Sequence, residues 1–122
     1  MFRFSARRLM SIPEATKVIA SHPVVVFSKK ECFFSTRAKC ILAQLEYYPK
    51  VVELDAPAGA GTPEEIDALQ DHFLQTTGES TVPRIFIGGK SIGGCNELEE
   101  LAQDGKLEEL METALGKAGA GA

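Results

Sequence analysis

Val24-Val25-Val26-Phe27-Ser28-Lys29-Lys30-Glu31-Cys32-Phe33-Phe34-Ser35 is the stretch whose reading decides the fold. Four consecutive apolar residues, three of them β-branched, are the pattern of a strand buried on both faces of a sheet, which places this strand centrally. A polar turn, Ser28 to Glu31, leads from it to Cys32. Beyond Cys32 the apolar positions Ala38, Ile41, Leu42 and Leu45 recur at three- and four-residue spacing, predicting a helix from Phe33 to about Tyr48 that stops at Pro49. A thiol is thereby set at a strand-to-helix junction. The unpaired N–H groups and the dipole of a helix start favour an anion, and Lys29 adds positive charge, so Cys32 is expected to be a thiolate at neutral pH.

Working outward, residues 13 to 21 read as a short helix with Ser11 as N-cap and Pro13 in the first turn. Val51 to Leu54 is a second strand, and strand, helix and strand of these lengths predict a right-handed parallel βαβ unit. Residues 56 to 62 form a Gly/Ala/Pro-rich surface loop. Thr62-Pro63-Glu64-Glu65 then opens a helix that runs to about Thr77 and ends at Gly78, with Ile66, Leu69, Phe73 and Leu74 on its buried face. Two strands, Arg84 to Ile87 and Lys90 to Gly93, flank Gly88-Gly89, a pair able to take the positive φ of a tight hairpin turn. Asn96 with Glu99 suggests a capped start for a last helical stripe interrupted at Gly105. The order predicts an α/β fold, a four-stranded mixed sheet flanked by helices.

The chain has 122 residues, 25% charged and 44% hydrophobic, enough for one domain with its own core. We expect a basic segment over 1–11, a domain over 12–115 and a disordered tail over 116–122. A net charge of −4, with no basic cluster beyond Arg8 except Lys29-Lys30, argues against nucleic-acid binding. No run approaches the roughly eighteen apolar residues of a membrane span. The first ten residues carry three arginines and no acid, the composition of a targeting peptide, so a mitochondrial location is expected, with a cytoplasmic one as the alternative.

Three cysteines do not make a disulfide framework and fit a reducing compartment. His22 and His72 lie far in sequence from any of them, which disfavours an intrachain zinc site. Ser35 holds the place where a dithiol motif carries its second cysteine. It can hydrogen-bond to the thiolate but cannot close a disulfide. Cys40 lies eight residues along the same helix, about 12 Å in rise, whereas a disulfide needs Cα atoms within about 7 Å. Cys40 is expected to pack in the core, and Cys95 to be semi-exposed and to pair only after a loop movement or between chains.

Four features together resemble the glutaredoxin family from about residue 13 to residue 115: Phe27-Ser28-Lys29 ahead of Cys32, Thr81-Val82-Pro83, Ile92-Gly93-Gly94-Cys95-Asn96-Glu97, and the spacing between them. The resemblance implies a thioredoxin-like fold, a cis proline at Pro83 and a glutathione-dependent thiol–disulfide oxidoreductase. It implies that glutathione lies with its sulfur on Cys32 and its cysteinyl backbone on Val82, with Lys29 and Gln70 at the glycine carboxylate. The γ-glutamyl end would meet Gly94, Cys95, Asn96 and Glu97, and Phe34, Thr81 and Pro83 would complete the lining. Glu97 stands where the family commonly has aspartate. Phe33 and Ser35 depart from the Cys-Pro-Tyr-Cys pattern, while only Lys30 and Glu31 separate lysine from cysteine, so the inserted loop of the Cys-Gly-Phe-Ser class is absent.

The expected activity is removal of glutathione from glutathionylated proteins by a monothiol cycle in a monomer. The rival reading is [2Fe–2S] cluster binding or transfer by a homodimer in which each chain gives Cys32 and one glutathione. A third is a catalytically silent thioredoxin-like adaptor, which would have little use for a helix-capped thiolate.

Overall fold

The computed structural model describes residues 12–54 and 63–121. The N-cap at Ser11, the basic segment 1–11, the N-cap at Thr62 and the loop 56–62 lie outside the described residues. In chain order the elements are α1 (Ile12–Ser21), β1 (Val24–Ser28), α2 (Phe33–Gln44), β2 (Lys50–Glu53), α3 (Pro63–Thr77), β3 (Arg84–Ile87), β4 (Lys90–Gly93), α4 (Cys95–Gln103) and α5 (Lys106–Gly121).

The strands form one sheet in the order β2-β1-β3-β4, with β1 parallel to β2 and antiparallel to β3, which pairs antiparallel with β4. The run at 24–27 is therefore internal, as its composition predicts. Its side chains alternate between two cores, one on each face of the sheet. Val24 and Val26 join Ala38, Leu42, Ile85, Leu98, Leu107 and Met111 under α2, α4 and α5. Val25 and Phe27 join Ala15, Leu69, Phe73 and Phe86 under α1 and α3. A strand feeding two cores needs apolar residues at every position, and all five residues of β1 are buried.

Helix α2 ends at Gln44, four residues before the expected Tyr48. Glu46 takes a left-handed φ of 65°, and the N–H groups of Glu46 and Tyr47 turn back to the carbonyls of Ala43 (2.9 Å) and Leu42 (2.8 Å). This Schellman closure stops the helix before proline is reached. At the other hairpin and helix ends the glycines behave as expected: Gly88 and Gly89 have φ of 62° and 86°, and Gly78 ends α3 with φ 91°. Leu74, expected in the core, is exposed, because α3 presents the Leu69 and Phe73 side to the sheet. The last helix extends to Gly121, and residue 122 lies outside the described residues. No helix among the described residues is long and apolar enough to cross a membrane.

Candidate active site

Strand β1 delivers the chain to a tight turn in which the Cys32 N–H donates to the carbonyl of Lys29 at 3.1 Å. Cys32 is the N-cap of α2, in extended conformation, and its carbonyl accepts the first intrahelical bond, from Thr36, at 3.1 Å. Its side chain is half-buried, with Sγ 3.8 Å from the carbonyl oxygen of Val82. The Val82–Pro83 peptide bond is cis, which brings the start of β3 beside the thiol.

Burial pushes the Cys32 thiol up. Hydrogen bonds from the Ser35 hydroxyl and from the amides of Ser35 and Phe34, with the charge of Lys29, outweigh that cost and hold it below its ordinary value of 9.0. Ser35 is fully buried, and its Oγ also accepts from the backbone N–H of Lys29 at 3.3 Å. One hydroxyl thus links the turn before the cysteine to the cysteine sulfur itself. Below it, the fully buried Ser28 donates to Glu53 Oε1 at 2.6 Å, and Glu53 Oε2 takes Lys39 at 2.5 Å, which ties β1, β2 and α2 together.

Beside Cys32, which does not itself line it but whose Sγ meets the lining residue Val82, a cleft of about 430 Å³ runs between two walls. Phe34, Thr81, Val82 and Pro83 form one side; Gly94, Cys95, Asn96 and Glu97, at the start of α4, form the other. All eight were expected at the site from the sequence. The turn between β4 and α4 requires its glycines. Gly93 has φ 108°, and a Cβ there would lie 2.7 Å from Glu97 Cγ; a Cβ on Gly94 would lie 2.8 Å from Arg84 Nη2.

Several expectations are corrected. Cys95 is buried at 4% exposure and packs with Leu98, and burial, reinforced by the charge of Glu99, pushes its thiol up. It is neither semi-exposed nor poised to react. Cys40 is exposed rather than in the core. At about 100° per residue it sits roughly 200° from Ala38, on the side opposite the buried stripe of Ser35, Ala38 and Leu42. The cap of α4 is Gly94, two residues before the expected Asn96, and the Glu97 carboxylate accepts from the Gly94 N–H at 2.8 Å. Gln70 and Lys29, expected at the glycine carboxylate, do not line this cleft, as Cys32 does not, and that expectation is not altered by it; the Gln70 amide donates to the carbonyl of Ser80 at 2.9 Å and so braces the loop ahead of Pro83.

Sequence reasoning missed two lining residues, Glu79 and Arg84. Arg84 opens β3 and is only 3% exposed; its Nε–H donates to the carbonyls of Thr81 (2.8 Å) and Pro83 (3.1 Å). A cation at the head of an otherwise apolar strand, directly after Thr-Val-Pro, was the available signal, since arginine is almost never fully buried without partners.

Residues 24–92, which carry the half-buried thiol at a helix start and the cis proline facing it, match the Glutaredoxin family. The chain belongs to the glutaredoxin family. It is a glutathione-dependent thiol–disulfide oxidoreductase with the thioredoxin-like arrangement of four mixed strands between helices. This glutaredoxin is 42% identical over 101 residues to monothiol glutaredoxin-S12, chloroplastic, of Arabidopsis thaliana, covering 83% of this chain and 54% of that one. It thus spans about half the length of that relative. Among solved structures, the buckwheat glutaredoxin–glutathione complex aligns with TM-score 0.73 at 39% identity, covering 84% of this chain and 87% of that one. The holo form of glutaredoxin C1 from Populus tremula x tremuloides aligns with TM-score 0.74 at 40% identity and the same coverages.

Proposed function

We propose that this glutaredoxin reduces protein–glutathione mixed disulfides by a monothiol cycle. The observation that carries the reading is the buried Ser35 hydroxyl bonded to Cys32, in the place where a dithiol enzyme keeps its second thiol. The Cys32 thiolate attacks the glutathionyl sulfur of the substrate; the Cys32–glutathione disulfide forms as the protein–glutathione bond breaks, and the protein thiolate leaves. The thiolate of a second glutathione then attacks the glutathionyl sulfur on Cys32, giving oxidised glutathione and returning the Cys32 thiolate. The net exchange consumes one free glutathione per mixed disulfide: the protein thiol is released, and the glutathionyl group taken from the substrate ends in the oxidised glutathione. The buried, up-shifted Cys95 and the outward-facing Cys40 favour glutathione over an internal thiol as the resolving partner.

The buckwheat relative, solved as a glutathione complex, supports glutathione as the ligand, and the cleft beside Cys32 offers it a place with its cysteinyl backbone against Val82 and its γ-glutamyl end at the start of α4. Substitution Cys32→Ser is expected to reduce turnover of a glutathionylated peptide to the uncatalysed rate. Retained turnover would eliminate the cycle.

A second reading rests on the holo form of the Populus relative. Among the described residues no three of His, Cys, Asp and Glu group to hold a metal, so one chain offers a cluster only Cys32. Two chains and two glutathiones would complete four sulfurs around a [2Fe–2S] cluster, with Phe33, 70% exposed, beside each Cys32. Anaerobic reconstitution with iron, sulfide and glutathione is then expected to give a coloured dimer, and Cys32→Ser to stay colourless and monomeric. A colourless monomer from the unsubstituted chain would remove this reading.

A further inference from the structure

Arg84 places a nearly buried guanidinium between the two walls of the cleft. Its Nε is engaged by the carbonyls of Thr81 and Pro83 on one wall, and Nη2 lies so near Gly94, on the other, that a Cβ there would be 2.8 Å away. Among the described residues the carboxylate paired with Nη2 is that of Glu79, whose Oε1 lies 3.6 Å away, beyond hydrogen-bond distance. The Glu79 side chain is 58% exposed, and both residues line the cleft. A guanidinium fork held rigidly by one nitrogen, with another turned to the end of a cleft where a helix starts, fits a carboxylate. Glu79 holds that position loosely.

We infer that Arg84 and Glu79 form a specificity-determining pair for the γ-glutamyl end of the substrate: the ligand's α-carboxylate takes the Nη2 side of Arg84 and displaces Glu79. The inference rests on the proposed placement of glutathione in this cleft and adds two residues to it. Discrimination follows from what an incorrect ligand leaves behind. A thiol compound without the γ-glutamyl group leaves Arg84 with only its loose internal partner. Glutathione replaces that partner with a carboxylate that also meets the N–H groups opening α4. Glu79 therefore acts as an internal competitor whose removal favours the ligand.

The test compares one peptide carrying either a glutathionyl or a cysteinylglycyl mixed disulfide, the second lacking only the γ-glutamyl group. Glu79→Gln is expected to lower KM for the glutathionyl peptide about two- to fivefold, the range of a weak exposed ion pair, with kcat unchanged. KM for the cysteinylglycyl peptide should not move. Arg84→Lys, which keeps a charge but loses the fork, should raise KM for the glutathionyl peptide about tenfold and much less for the other. Glu100→Gln, which removes an exposed carboxylate of α4 outside the cleft, should change neither. Equal shifts with both peptides, a shift with Glu100→Gln matching that of Glu79→Gln, or a raised KM in Glu79→Gln would each overturn the pair's role. Because Glu79 is exposed, its variant answers the question even if Arg84→Lys folds poorly. Failure of the glutathione placement would look different: the unsubstituted protein itself would not prefer the glutathionyl peptide.

Discussion

At the scale of single residues, the chemistry is set by how few groups act on Cys32. Desolvation opposes the thiolate, and the Ser35 hydroxyl is the foremost of the groups that overcome it. Reactivity tracks the thiolate fraction, so the rate of alkylation by iodoacetamide should rise with pH to a midpoint below 9.0. In Ser35→Ala the amides of residues 34 and 35 and the charge of Lys29 remain, but the hydroxyl is lost, so the midpoint should move upward and the rate at neutral pH should fall. A midpoint unmoved by Ser35→Ala would show that the backbone alone lowers the thiol. Cys32 and Ser35 were legible in the sequence because their relation is local, three positions apart on one helical turn. Arg84, Glu79 and the capping role of Glu97 were not, because each depends on which strand and helix the sheet brings together. Cys40 is intermediate: its phase on α2 was readable from Ala38 and Leu42, yet its apolar character argued for the core.

Among the elements, the ends of helices differ most from expectation, and their closures are where stability can be changed without touching the site. Glu46 holds a left-handed conformation that costs a non-glycine residue on the order of 1 kcal/mol, partly offset by the greater chain entropy that glycine loses on folding. Glu46→Gly should therefore raise the unfolding free energy by about 0.5–1 kcal/mol, seen as a higher urea midpoint with an unchanged slope. A lower midpoint would mean that the Glu46 side chain stabilises the turn more than its backbone strains it. The helices that carry the two walls are themselves linked: Arg37 on α2 donates through Nε to Glu99 on α4 at 2.6 Å. That pair is half exposed on the arginine side, so it orients α4 against α2 more than it stabilises the fold. Element types and order were readable because hydrophobic periodicity and the glycine turns are strong local signals. The early end of α2 was not, since nothing in Leu45-Glu46-Tyr47 marks a left-handed residue.

On the scale of the whole molecule, the two cores lie on opposite faces of the sheet and both draw on β1 and β3, and the aromatic one is concentrated. Phe27 and Phe73 have ring centroids 4.9 Å apart, and both rings meet Phe86 at 5.8 and 5.7 Å. Phe73→Ala should cost about 3–5 kcal/mol, measured by denaturant unfolding; a loss below about 1 kcal/mol would mean that the α3 side of the sheet is not a packed core. The opposite core contains Cys95, buried against Leu98 at the point where α4 leaves the sheet. That position has a use unrelated to catalysis. Once Cys32 and exposed Cys40 have been blocked, Cys95 becomes a native stopwatch: its labelling must wait for α4 to lift from β3 and β4, so the lag of the third adduct in a mass spectrum times the opening of the cleft wall.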